Sequence, residues 1–378
     1  MCSSDIKISR WYLIKTKAFI YKISRKEDMP FANVHVHRKR GDIIDHILRT
    51  AAKSRQRILF PEPSEPRILT AVEYLVKNNI LYPIMVGDEK EMLKQLIKLN
   101  IPKQHLKNLP IVDPSNANTD LRSQGYAQKL FELRKDKGMT LEQAQQQIRD
   151  PVWYAMMMLK YGEADGLICG AMHKTAETLK PAFTIIKTKP DVSLASSYFI
   201  MVERGKVYFY ADCAVNPDPT AEQLSDIAIS TADTAKSFGY TPKVALLSFA
   251  THNSAQHPLI DKVTRAAAIV KTKRPDIICD GPLQFDAAVV PDVAQKKAPN
   301  SPIQGDANVL IFPDLQSGNI SYKITQRFGN ALTVGPILQG LNKPVNDLSI
   351  GCTIEEIIET AALTAVQAQI VKAGNKNS

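Results

Sequence analysis

The chain is poor in the residues that build metal, disulfide or dinucleotide sites. Its five cysteines (Cys2, Cys169, Cys213, Cys279 and Cys352) are scattered, with no pair at metal-ligand spacing. Cys169 and Cys279 fall in apolar, strand-like runs, which suits buried thiols in a reducing compartment. The seven histidines form no ligand motif either, and His35 and His37 alternate in a loop-like stretch. No strand-like run is followed by Gly-x-Gly-x-x-Gly, so the dinucleotide fingerprint is missing. No run approaches the roughly 18 to 20 apolar residues that a bilayer span needs, which argues against a membrane partner. Acidic residues are in deficit, 38 against 48 Lys and Arg, leaving a net charge of +10. Such an excess raises the question of nucleic acid. The body of the chain offers no basic helix, no zinc-finger spacing and no aromatic-basic interleave, so no nucleic-acid partner is expected. A polyanionic substrate accounts for the charge instead.

What is present reads as a globular protein. The apolar share of 44% and charged share of 23% are ordinary for one, and 378 residues suit two domains. Residues 1–37 stand apart. Lys7, Arg10, Lys15, Lys17, Lys22, Arg25 and Lys26 surround two short apolar clusters, and Lys15 and Lys17 interrupt what would be a secretory core. This basic N-terminal extension is expected to be dispensable, with Met29-Pro30 as a downstream start.

From Asp42 the pattern is an alternation of helix and strand. An amphipathic helix over 42–54 precedes a buried strand at Arg57–Phe60, and Ser64 is the expected N-cap of a helix reaching Asn79. Further strands are expected at 83–87 and 110–113, with helices near 89–99, 119–135, 140–148 and 151–160. Ala164–Ala171 is a strand running into a glycine-flanked turn, and a helix starts after His173-Lys174-Thr175. That order of elements is one that cradles anions, though far less specific than a P-loop. A hairpin follows at 192–202 and 206–210, turned by Glu203-Arg204-Gly205. Beyond it come helices at 221–238, 258–272 and 285–297 and strands at 244–249, 277–279 and 309–312. The alternation implies an α/β fold: two α/β/α domains with largely parallel sheets and an interdomain cleft. Ligands in such sheets bind beyond the carboxyl ends of the strands.

The run Gly335–Ser349 opens on a Gly-Pro break, and Lys343-Pro344 forbids a helix. A polar turn carrying Ser349 then feeds an amphipathic helix from Ile354 to about Gln369, whose free N–H groups favour anions. Thr353-x-x-Glu356 is a capping box, which can be nothing more than that. Ser349 alone can be a turn serine. Arg134, followed by Gly138, reads equally as a cation at a helix C-terminus, and Ser317 and Asn319 equally as helix-capping residues. Cys352 has no histidine near it in sequence to activate it.

Four strings together resemble phosphate acetyltransferases: Asp212–Pro219, Asp280–Ala288, Phe312–Leu315 and Leu338–Ser349. The resemblance spans roughly residues 42–372 in order. It implies reversible acetyl transfer between acetyl phosphate and coenzyme A in the cytoplasm, with coenzyme A as co-substrate, no tightly bound cofactor and no metal, in a homodimer. It places domain one at 38–191 plus 338–378 and inserted domain two at 192–337. It marks Ser349 and Glu356 as catalytic, the latter in place of an aspartate base, and Arg134, Lys180, Ser317 and Asn319 as substrate-binding. Lys180 stands where the family has an arginine and loses its bidentate fork. Ile350 also departs, because the family pattern has an arginine directly after the serine. A butyryl-transferring relative, or a catalytically weakened homologue serving as a metabolite-binding module, are the alternatives.

Overall fold

A computed structural model describes residues 40–102, 109–116, 121–190 and 192–374. The basic extension, with His35 and His37, lies outside them. Among the described residues no helix is long and apolar enough to cross a membrane.

The first sheet is built as the alternation requires. Helix α1 (Arg40–Lys53) leads to β1 (Arg57–Phe60), and α2 (Pro66–Lys77) to β2 (Tyr82–Val86). Helix α3 (Glu89–Lys98) follows, then β3, only Ile111–Val112. A helical group, α4 (Leu121–Arg134), α5 (Leu141–Gln147) and α6 (Pro151–Lys160), precedes β4 (Gly166–Cys169). Asp150 caps α6 through the Val152 and Trp153 N–H groups, and α6 is apolar on all sides and almost wholly buried, as an interior helix must be. After β4 comes α7 (Thr175–Pro181). With β11 (Val345–Asp347) the strand order is β11-β4-β1-β2-β3, every pair parallel.

The second sheet begins with the expected hairpin, β5 (Ser196–Glu203) and β6 (Lys206–Ala211), antiparallel in register from Tyr198↔Ala211 to Glu203↔Lys206. Helix α8 (Ala221–Ser237), β7 (Lys243–Leu247), α9 (Pro258–Lys273), β8 (Ile278–Leu283), α10 (Phe285–Val289), α11 (Pro291–Lys297), β9 (Val309–Ile311) and α12 (Leu315–Arg327) follow. With β10 (Leu332–Gln339) the order is β10-β5-β6-β9-β7-β8, parallel from β6 to β8.

Several expectations need correcting. The cap of α2 is Glu65, whose carboxylate accepts the Arg67 N–H, and not Ser64. The helix expected over 285–297 is two, divided before Pro291, because a proline there cannot donate to the preceding turn. The larger correction concerns Gly335-Pro336. The break is absorbed inside a strand, β10 (Leu332–Gln339), antiparallel to β5, with a register shift between Val334 and Ile337. A bulge is the usual way for a strand to carry a proline. Val345-Asn346-Asp347 then form β11, parallel to β4. A buried polar residue can sit in this strand because its side chain finds hydrogen-bond partners there.

Asn346 shows this best. It is fully buried, and its Oδ1 accepts the Leu338 N–H at 2.8 Å while its Nδ2 donates to Thr364 at 2.7 Å and Gln367 at 2.8 Å. Gln367 in turn donates to the Leu338 carbonyl at 2.9 Å. The last helix, α13 (Ile354–Gly374), which also packs on α1, α2 and β4, is thereby tied to the end of β10 in the second sheet and β11 in the first. Asn346→Ala strands three polar partners at once, and a buried group left without its hydrogen bond costs about 1–3 kcal/mol. The urea midpoint should fall by about 2 kcal/mol of unfolding free energy. An unchanged midpoint would show that the sheet-to-sheet joint does not depend on this amide.

Candidate active site

The carboxyl ends of β1, β4 and β11 lie side by side, and one buried anion organises their loops. Glu62 follows β1 between two prolines, with a side chain 1% exposed. A carboxylate so placed must be fully hydrogen-bonded. It accepts the N–H groups of Gly170 (3.1 Å), Ala171 (3.0 Å), Met172 (2.8 Å) and His173 (3.1 Å), and lies 2.7 Å from His173 Nδ1. Burial pushes the Glu62 carboxyl up, but the His173 and backbone hydrogen bonds outweigh it and hold it below the usual range. The same bond raises the His173 imidazole. The loop after β4, which has the look of an anion cradle in sequence, is therefore filled by an anion of the chain itself.

Arg67, in the first turn of α2, closes the arrangement. Its Nε donates to Glu65 at 2.7 Å, one terminal nitrogen to the carbonyls of Ile350 (2.8 Å) and Cys352 (2.7 Å), and the other to that of Ala171 (3.1 Å). The loops after β1, β4 and β11 are thus one hydrogen-bonded unit. Gly170 allows their close approach: its φ is +114°, and a Cβ there would lie 2.5 Å from both Asp347 Oδ1 and the Leu348 carbonyl. Asp347, at the end of β11, is buried, and its Oδ1 has no hydrogen-bond partner. Burial raises its carboxyl to about 6, partly opposed by the Thr175 and Thr178 hydroxyls.

Ser349 and Ile350 are exposed on this unit, Ile350 by 56%. The Gly351 N–H donates to Ser349 Oγ at 3.3 Å. Glu356 forms the capping box: its Oε2 accepts the Thr353 N–H at 2.9 Å, and its own N–H donates to Thr353 Oγ1 at 3.2 Å. Cys352 is buried between them, and burial pushes its thiol to about 11 against the opposing pull of Arg67, so it is no thiolate nucleophile at neutral pH. Lys180 is exposed on α7, which starts just after His173 and packs against β11. Arg134 ends α4, and among the described residues no hydrogen bond or ion pair joins it to the Ser349 loop. Ser317 and Asn319 sit on α12 by the second sheet. The Ser317 N–H and hydroxyl bond to Asp314, and the Asn319 amide donates to the Cys213 carbonyl at 3.1 Å. Sequence reasoning brings out Ser349 and Glu356 but passes over Glu62, Arg67 and Asp347, which build the loops. One signal was available for Glu62: a carboxylate between two prolines straight after a buried strand.

Over residues 42–365 the chain matches the phosphate acetyl/butaryl transferase family. It belongs to that family. It is 45% identical over 336 residues to a phosphate acetyltransferase of Clostridium acetobutylicum, covering 87% of this chain and 99% of the relative. The corresponding enzyme of Thermoanaerobacterium thermosaccharolyticum is 47% identical over 334 residues, with 86% and 99% covered. Among solved structures, a phosphotransacetylase from Streptococcus pyogenes superposes with a TM-score of 0.83 at 42% identity, covering 88% of this chain and all of that one. In this member of the family the carboxylate at 347 bears an electrostatic cost of burial. A carboxyl raised to about 6 in the fold gives up stability as pH climbs from its unfolded value, about 3.9, through 6. Asp347→Asn removes that cost. Its melting temperature should exceed the parent's at pH 8, by the equivalent of about 3 kcal/mol, and the gain should nearly vanish near pH 4. A gain that is the same at both pH values would show that ionisation of Asp347 is not its source.

Proposed function

We propose that the protein transfers an acetyl group reversibly between acetyl phosphate and coenzyme A. The observation that carries this is the 45–47% identity to phosphate acetyltransferases over nearly their whole length, and the exposed Ser349 on a rigid three-loop unit gives the reaction a place. In this reading Glu356 takes the thiol proton of coenzyme A through the oxygen that Thr353 leaves free. The thiolate sulfur bonds to the acetyl carbon, the carbon–oxygen bond to phosphate breaks, and its electron pair leaves with inorganic phosphate. The Ser349 hydroxyl donates to the carbonyl oxygen as it gains charge. Arg134 and Lys180 bind coenzyme A phosphates, and Ser317 and Asn319 line the substrate path. The enzyme is cytoplasmic, with neither a tightly bound cofactor nor a nucleic-acid or membrane partner.

The domains of this reading are 38–191 plus 338–378, and 192–337, with the substrate cleft between them. The supporting feature is the crossing at residues 340–344, where the chain leaves β10 of one sheet for β11 of the other. A homodimer is part of the same proposal. Phe249, Leu259, Phe285 and Ile324 are each about half exposed around one cavity of about 440 Å³ beyond the second sheet, and Ile320 and Phe328 extend it along one face of α12. An apolar stripe of this extent on a soluble surface marks an interface, and a second copy presenting the same stripe is its matching partner. Ile324→Glu with Phe328→Glu should shift sedimentation from dimer to monomer; a parent chain that sediments as a monomer removes the proposal.

Purified protein should form acetyl-CoA from acetyl phosphate and coenzyme A, and Ser349→Ala should lower kcat by about 10²-fold. Formation no faster than in Ser349→Ala, in a folded sample, ends the enzymatic reading. Because Ile350 is 56% exposed, an arginine there carries no burial penalty and presents a fork to phosphate oxygens. Ile350→Arg should raise kcat/KM for acetyl phosphate by about tenfold, or roughly 1.4 kcal/mol, with the melting temperature unmoved.

A further inference from the structure

The departing phosphate needs cationic partners, and the three-loop unit has few left to give. The N–H groups of residues 170–173 are spent on Glu62. Three nitrogens of Arg67 are spent on Glu65 and on the carbonyls of Ala171, Ile350 and Cys352. Residue 350 carries no charge. His173 is the exception. Its Nδ1 is fixed by Glu62 at 2.7 Å, its side chain is 28% exposed, and no described residue bonds to its Nε2. It stands two residues from Ala171, which Arg67 binds together with Ile350, and the Leu348 N–H donates to the Cys169 carbonyl at 2.7 Å. The histidine loop and the Ser349 loop are thus adjacent.

We propose that His173 is the residue that binds the phosphate group of acetyl phosphate, its Nε2–H donating to a phosphate oxygen while Glu62 holds the ring by Nδ1. This rests on the acetyl-transfer reading above. No proton changes hands: the imidazolium offsets the charge on phosphate as the carbon–oxygen bond breaks, a task residue 350 cannot perform in this chain. The carboxylates around the ring favour its charged form: Glu62 after β1, Asp150 at the cap of α6 and Glu177 on α7, with Asp347 of β11 close enough for His173 to act on its ionisation. His173 is charged below its raised value, so phosphate binding should be strongest at low pH and fade as pH climbs through that value. The exposed neighbour Lys174 adds a diffuse charge but has no fixed geometry.

Two variants separate a phosphate ligand from a mere loop fastener. His173→Asn keeps a donor where Nδ1 meets Glu62 and deletes the Nε2 end. His173→Gln puts a neutral donor near the Nε2 position and lets go of Glu62. Calorimetric titration of the full chain with inorganic phosphate near pH 6.5 should show binding weakened about tenfold or more in His173→Asn, and less in His173→Gln. KM for acetyl phosphate should rise in parallel with KM for coenzyme A unchanged, and the pH dependence of phosphate binding should flatten in His173→Asn. A fastener predicts the opposite order, with His173→Asn like the parent and His173→Gln impaired, and that result would overturn the proposal. So would phosphate binding by the parent too weak to measure. If His173→Gln fails to fold, His173→Asn alone decides between the two. Absence of acetyl transfer in the parent would sink the catalytic reading, while the phosphate titration would still report on His173.

Discussion

A buried carboxylate is the constraint on which the loops at the carboxyl ends of β1, β4 and β11 depend. Glu62 has lost its water, and only a complete set of donors compensates for that. Four consecutive backbone N–H groups must therefore converge on it, which dictates the path of residues 170–173. That path brings Gly170 against Leu348 so closely that no side chain fits between them. Arg67, itself beyond the loop after β1, then has three carbonyls within reach from the two other loops. The path of the Ser349 loop is thus set by an anion two strands away.

Much of this was legible in the sequence, and the limits are physical. Alternating helix and strand patterns gave the parallel sheets and the hairpin at 196–211, because burial on both faces and a Gly-containing turn leave a strong local signal. The strands β10 and β11 were not legible. Gly335-Pro336 argues against a strand until β5 is there to pair with on both sides of a bulge, and Val-Asn-Asp looks like a turn until Leu338, Thr364 and Gln367 satisfy Asn346. Both are decided by partners more than a hundred residues away or on another element. The site divides in the same manner. Ser349 and the Thr353–Glu356 box are local and readable; Glu62, Arg67 and Asp347 act only across loops.

The loop after β4 shows why a motif of element order misleads. Strand, glycine turn and helix start do present N–H groups to an anion. The sequence pattern cannot say whose anion it is. Here the chain supplies its own carboxylate at fixed stoichiometry, so the donors that serve substrate phosphates elsewhere serve architecture here. Any further anion at this face would have to be met by side chains at the rim, because these backbone donors are taken.

The two carboxylates at the centre of the unit illustrate how donors decide ionisation. Glu62 and Asp347 are both nearly excluded from solvent, and burial alone pushes each upward. Glu62 meets four N–H groups and a histidine, and stays ionised. Asp347 meets two threonine hydroxyls with one oxygen, has no partner for the other, and rises to about 6. The difference is the count of donors, not depth. One acid is thus held ionised by its own hydrogen bonds, and the other is pushed toward its neutral form by lack of them.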